Sequence, residues 1–307
     1  MNIVDMRRPF HGAEADFVDI DPSTCNMDVR ALRTKLERAK RDSRLPKVVI
    51  PVHLGGLPCD MAAIAVLAKQ YNFRVVEDAS HALGSTYRGD RVGGCVHSDI
   101  TVLSFHPVKL ITSGEGGMAM TNDPVLAQRM AVLRSHGITR EPAEMGREPD
   151  GPWYYEQTML GLNYRMTDIQ AALGRSQLQR LQGFLERRDQ LARRYDRLLA
   201  GSGLRLPARE NHSTSAWHLY IVGWNDERSG LTRAQAFSRL RAAGIGVNVH
   251  YIPVHLQPYY RDRGCRPGLA PNAEAYYDSA ITLPLHARMT DAQQDHIVAT
   301  LRGMLDR

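Results

Sequence analysis

Between residues 47 and 122 the chain repeats one pattern, short apolar runs of strand length separated by amphipathic stretches of helical length. KVVIPVHL (47–54) is apolar on both faces, DMAAIAVLAKQYN starts a helix near Asp60, and FRVVEDA (73–79) is again a strand. ITVLSF (100–105) and GGMAMTN (116–122) follow, and then a helix with Asp123 as its cap and Pro124 in its first turn. Strands that are apolar on both faces must be covered on both faces. The alternation therefore predicts an α/β domain with a mostly parallel sheet between helices. Upstream, FVDID (17–21) reads as a further strand, and Asn26 as the cap of a helix through MDVRALRTKLERAKRD.

Past this region the reading changes. TDIQAALGRSQLQRLQGFLERRDQLARRYDRLLA (167–200) reads as one long helix opened by the T-x-x-Q spacing of a capping box, Thr167 to Gln170. Unbroken, it would span ~50 Å, enough to link two lobes. HLYIVGW (218–224), a helix over 232–243 and GIGVNVHYIPVH (244–255) then form a smaller α+β unit. The predicted organisation is a large domain over 12–166, a connecting helix over 167–200 and a small C-terminal domain over 201–307. Met1 to His11 shows neither strand alternation nor helical periodicity.

Composition narrows the function classes. The 307 residues are 43% hydrophobic and 23% charged, with a formal net charge of +6, which is ordinary for a globular protein. The cations are scattered apart from a solvated helical stretch at Arg187 to Arg197, and no basic tract is interleaved with aromatics, which speaks against nucleic acid. Cys25, Cys59, Cys95 and Cys265 form no CxxC pair and read as reduced thiols. Cys95 and His97 lack further ligands to complete a metal site. No apolar run has the length of a membrane span, and no signal-peptide core opens the chain. A soluble, cytoplasmic protein is expected.

One lysine then needs a reason. In SFHPVKLITSGEGG (104–117), Lys109 lies between two apolar runs, where desolvating a cation is costly. A lone loop lysine is ordinarily a surface residue. Here, however, Asp78 closes one strand and Ser104 another, and ligands of open parallel sheets collect at such carboxyl ends. An amine, a carboxylate and a hydroxyl on neighbouring strand ends suit pyridoxal 5′-phosphate, which takes a Schiff-base lysine, an acid for its ring nitrogen and donors for its phosphate. Spacing alone leaves the structural readings open: Asp78 as a helix cap, Ser104 as a strand-end hydroxyl.

The stretch VVEDASHALGSTYRGDRVGGCVHSDITVLSFHPVKLITSGEGGMAMTND resembles the core of the DegT-type sugar aminotransferases, fold-type I pyridoxal phosphate enzymes. LRSHGITR, WYYEQTMLGLNYRMTDIQAALGRSQL and GIGVNVHYIPVHLQPYY continue the resemblance, which runs from Gly12 to the C-terminus. It implies that Lys109 carries the cofactor and shuttles protons as general base and acid, that Asp78 holds the ring nitrogen protonated, and that His81 lies near the phenolic oxygen. It further implies that Ser104 donates to the phosphate and that Asn163 reaches the cofactor of a partner subunit, making a homodimer. Some family members carry histidine in place of the lysine and act as dehydratases. With Lys109 present, aminotransferase is the expectation, and His106 reads as a packed strand-end residue.

SFHPVK, WYYEQ, NYRMTD and NVHYIPVHLQPYY together are most similar to the branch that makes pseudaminic acid precursors. The implied reaction moves an amino group from glutamate to C4 of a UDP-linked 4-keto-6-deoxy-N-acetylhexosamine. Arg165, His250, Tyr251 and His255 are the substrate-side candidates, because a nucleotide diphosphate takes cations and hydrogen-bond donors. Another nucleotide-linked ketosugar is the alternative substrate. The resemblance departs at the start, where family members carry a longer segment with the first helix, a Gly-Thr/Ser turn for the phosphate and an aromatic ring for the cofactor. Loss of two charge-assisted bonds, at roughly 1.5–3 kcal/mol each, weakens a ligand by about two to four powers of ten. The expectation is an N-terminally truncated large domain. A shortened chain completed by a partner, or a non-catalytic binding or regulatory relative, is the other reading.

Overall fold

The computed structural model describes residue 12 and residues 14–305, so Met1 to His11, expected to be foreign to the fold, lie outside the described residues. The first helix, α1 (Val29–Arg41), is capped by Asp28 rather than Asn26: the Asp28 carboxylate accepts from the amides of Arg30 and Ala31. Asn26 is buried and does a different job. Its amide donates to the Leu57 carbonyl at 2.8 Å and accepts from the Leu54 amide at 3.0 Å, which ties down the turn over 54–57. The stretch 17–21 is not a strand, and only Ile20 pairs, in an isolated bridge with Met27. Asp19 and Asp21 accept hydrogen bonds from nearby amides, Asp19 from Ile20 and Asp21 from Ser23 and Thr24, and these bend the chain away from a ladder.

The alternating region builds the sheet. In order come β1 (Val48–Val49), α2 (Met61–Tyr71, capped by Asp60), β2 (Arg74–Asp78), β3 (Ile100–Ser104), β4 (Gly117–Met120) and α3 (Pro124–Leu133, capped by Asp123). The strand order is β1-β2-β3-β4. The first three run parallel, with Val49 opposite Val75 and Val76 opposite Ile100. β4 runs antiparallel, with Ser104 opposite Gly117. The physical reason is the connection: residues 105–116 contain no helix, so the chain turns back instead of crossing over. That turn carries Lys109.

The long helix predicted over 167–200 is two helices, α4 (Asp168–Leu178) and α5 (Leu181–Leu198). The Thr167–Gln170 capping box is present at the start. Neither proline nor glycine stands at the break, where Gln179 and Arg180 lie. Burial separates the two: α4 buries none of its residues, whereas α5 buries Arg188, Leu191, Ala192 and Tyr195. After α5 come β5 (Tyr220–Gly223), α6 (Arg233–Ala242), β6 (Ala280–Leu283) and α7 (Asp291–Leu305). β5 and β6 pair antiparallel, Tyr220 opposite Leu283. Leu191, Tyr195, Tyr220, Val222, Ile281 and Leu301 form one hydrophobic core there, and Leu32, Leu36, Ile64, Leu67 and Val75 form another under the sheet.

Candidate active site

Strand ends and the turn after β3 bring the site together. Asp78 ends β2 with its backbone held from both sides: its amide donates to Pro51, and its carbonyl accepts from His53. Its carboxylate accepts one hydrogen bond, at 3.0 Å, from the Ser80 amide. Lys109 is half-buried in the turn, its amide donating to the His106 carbonyl. Burial pulls the lysine pKa below its usual value, and the attraction of Asp78 works against that shift. Ser104 closes β3, with its hydroxyl 3.5 Å from the His106 amide. His106 accepts from the Val108 amide and lies 3.8 Å from Glu115, so it shapes the turn.

A group of histidines faces the lysine. His81 is buried, and its Nδ1 accepts the Gly55 amide at 3.3 Å. That bond puts the proton on Nε2, which lies 3.3 Å from the Tyr251 hydroxyl. His81 has its pKa lowered well below the usual value, first by burial and then by His218, Lys109 and His250. His250 accepts from the Asn248 amide at Nε2 and donates from Nδ1 to the Thr282 hydroxyl at 2.8 Å. Its pKa is lowered by burial and then by Lys109. Tyr251 has its pKa raised by burial and then by Asp78. Lys109, Asp78, His81, His250 and Tyr251 therefore form one electrostatic unit.

The other predicted residues stand apart from it. His255 is buried and bonds Glu274 at 2.7 Å, so its side chain is committed within the fold. It lines a shallow cleft with Phe17, Tyr276 and Tyr251, and Tyr251 thus touches both that cleft and the group around Lys109. Asn163 is exposed and pairs by its backbone with Ser135. Arg165 is exposed beside it.

Two residues of the site escaped sequence reasoning. His218 packs against His81, ring centroids 4.5 Å apart at 41°. Its only signal was a polar residue heading the apolar run HLYIVGW. Arg188 corrects the reading of 187–197 as solvated. It is buried, and its Nη1 donates to the carbonyls of Trp217, His218 and Leu285 at 2.9, 3.3 and 2.9 Å. Nothing in a run of arginines marks which one turns inward.

The residues fit pyridoxal phosphate on their own chemistry. A half-buried amine with a lowered pKa, a carboxylate with a single amide donor, an imidazole fixed as an Nε2 donor and a strand-end hydroxyl stand at the ends of one sheet. Fold and donor set define a fold-type I pyridoxal phosphate transferase. More narrowly, residues 10–302 match the DegT/DnrJ/EryC1/StrS aminotransferase family, and the chain belongs to that family. The spore coat polysaccharide biosynthesis protein SpsC of Bacillus subtilis is 38% identical over 298 residues, covering 96% of this chain and 74% of that protein. Helicobacter pylori PseC, an aminotransferase involved in the biosynthesis of pseudoaminic acid, superposes with a TM-score of 0.85 at 28% identity, over 96% of this chain and 74% of that one. Spr1654 of Streptococcus pneumoniae in its PLP form gives a TM-score of 0.82 at 31% identity, over 97% and 77%. Among the described residues no helix is long and apolar enough to cross a membrane.

Proposed function

We propose that this chain is a pyridoxal phosphate-dependent aminotransferase that moves an amino group from glutamate to C4 of a UDP-linked 4-keto-6-deoxy-N-acetylhexosamine. The observation that carries the reading is the half-buried Lys109, its pKa lowered by burial, grouped with Asp78 and His81 at the ends of β2 and β3. Bound pyridoxal phosphate supplies a ring that draws off the electrons left when a C–H bond of the amino donor breaks. Lys109 would hold the cofactor through Nζ and would serve as the base that takes a proton from the donor's α-carbon and the acid that delivers one to C4 of the sugar. Asp78 would keep a proton on the ring nitrogen. His81 would donate from Nε2 to the ring oxygen, and Ser104 would donate to the phosphate. His250 and Tyr251 border the sugar and the exposed Arg165 serves the nucleotide end, whereas His255, held by Glu274, keeps only a structural role. The likeness to PseC supports this sugar class.

The active form is a homodimer in which Asn163 reaches the phosphate of the partner subunit's cofactor. Exposed apolar side chains in the segment that flanks Asn163 support it: Trp153, Leu160, Tyr164 and Ile169 are 72%, 89%, 69% and 83% exposed. The large domain over 12–166 would hold the cofactor, 167–200 would connect, and 201–307 would close over the substrate. The four unpaired cysteines fit a cytoplasmic setting.

The test is a visible absorption spectrum of the purified chain with added pyridoxal phosphate, beside Lys109→Ala. A band that glutamate bleaches and the variant lacks is the expected result. A band of equal strength in Lys109→Ala would remove Lys109 from its role, and no band in wild type would remove the cofactor. Product formation from the UDP-linked ketosugar, against its dTDP-linked counterpart, then tests the substrate.

A further inference from the structure

A buried acid and a buried imidazole meet beside β2, outside the cluster at Lys109. Successive strand residues point to opposite faces, so Asp78 and its neighbour Glu77 serve different sides of the sheet. Glu77 is 5% exposed, His53 is fully buried, and His53 Nε2 lies 2.9 Å from the Glu77 carboxylate. The same carboxylate accepts from the hydroxyls of Ser98 and Thr101. Burial pushes the Glu77 pKa up, but the bonds from His53, Ser98 and Thr101 outweigh it and hold the carboxylate below its usual range. An ionised group in a core is costly, and a well-packed apolar pair would fill the same space without that cost. Neither residue takes part in the proposed chemistry, so their pairing needs another reason.

The bonds of His53 supply one. Its Nδ1 accepts from the Cys59 amide at 3.2 Å, which leaves the proton on Nε2 for Glu77. Its own amide donates to the Asp78 carbonyl at 3.1 Å. His53 therefore ties both ends of the segment 53–59 to the last two residues of β2. Between those ends lie Gly55 and Gly56, with φ of 67° and 106°, residues with little conformational preference of their own. The Gly55 amide is the donor to His81 Nδ1, at 3.3 Å, a length at which a small displacement loses the bond. The partner at His81 Nε2 is the Tyr251 hydroxyl, which can donate or accept and so does not choose the tautomer. We infer that Glu77 and His53 are positioning residues of this site: their buried pair anchors the segment 53–59, so that the Gly55 amide stays on His81 and the His81 proton stays on Nε2. The inference rests on the aminotransferase reading above, in which that proton meets the ring oxygen of the cofactor.

The experiment uses the full-length chain with ¹⁵N-labelled histidine and no cofactor. Long-range proton–nitrogen correlation spectra show which nitrogen of His81 is protonated, and His81→Gln identifies its signal. The dissociation constant for pyridoxamine 5′-phosphate is measured alongside. Wild type should carry the His81 proton on Nε2. Glu77→Leu removes the acceptor of His53, and His53→Asn keeps an acceptor for the Cys59 amide but no longer reaches Glu77. Each should let the His81 proton move to Nδ1 in part or whole, and weaken pyridoxamine 5′-phosphate about tenfold. Glu77→Gln, whose amide oxygen still accepts from His53, should keep the wild-type tautomer and an affinity within about twofold. A pair that only stabilises the fold would lower the melting temperature of Glu77→Leu and His53→Asn while leaving the tautomer and the affinity of the folded protein unchanged, and that result overturns the inference. A wild-type His81 protonated on Nδ1 overturns it too, with no variant needed to fold. Failure of wild type to bind pyridoxamine 5′-phosphate refutes the cofactor reading instead, and the tautomers of the cofactor-free proteins still decide whether the pair anchors His81.

Discussion

Lys109 sits where burial and a carboxylate pull its pKa in opposite directions, and burial prevails. The lowered pKa means that the neutral, nucleophilic amine is populated at lower pH than in a free lysine. The rate of cofactor attachment should therefore rise with pH along a curve whose midpoint lies below 10.5, the ordinary lysine value. Asp78→Asn removes the charge that stabilises the protonated amine, so its midpoint should move lower still while turnover falls at least a hundredfold. Stopped-flow absorbance across pH measures both. A midpoint that Asp78→Asn moves upward would contradict the arrangement. At this scale the amine and the carboxylate could be singled out because each ends or follows a strand of the alternating region, whereas His81 came only from the family resemblance. His218 was not legible, since only the packing of β5's entry against residue 81 brings it to the cluster.

At the scale of elements, one close approach joins the two halves of the cluster. Gly56 has a φ of 106°, and a Cβ there would come within 2.9 Å of the Trp217 amide and 3.1 Å of the His81 carbonyl. Gly56→Ala should destabilise the chain by about 2–3 kcal/mol through strain and overpacking. It should also weaken cofactor binding, because His81 and His218 lie on the two backbones it would push apart. Thermal melting and a cofactor titration together check this, and a variant that loses stability but keeps full affinity would uncouple the glycine from the site. Helix caps show how legibility varies. Asp60, Asp123 and the Thr167 box stand where local chemistry predicts them. Asn26 loses its expected cap to Asp28, because its amide is taken by the carbonyl and amide of a distant turn. The break after Leu178 had no local marker at all.

Over the whole molecule, the exposed apolar side chains in the segment that flanks Asn163 make the proposed dimer testable. Ile169→Glu and Leu160→Glu replace side chains that touch little within one chain, so the folded monomer should keep its melting temperature within a few degrees. The dimer should weaken more than tenfold by sedimentation, with cofactor affinity falling alongside if Asn163 serves a neighbouring site. A dimer unmoved by both changes would place the interface elsewhere.

The class of fold, the parallel strands and the lysine turn were legible in the chain alone, because strand and helix periodicities and turn residues act over a few positions. The doubling back of β4, the division of the helix over 167–200, the inward turn of Arg188 and the joining of His218 to His81 were decided only by the tertiary structure. Each depends on which distant surface is available to bury a side chain or satisfy a carbonyl, and that partner lies tens to more than a hundred residues away.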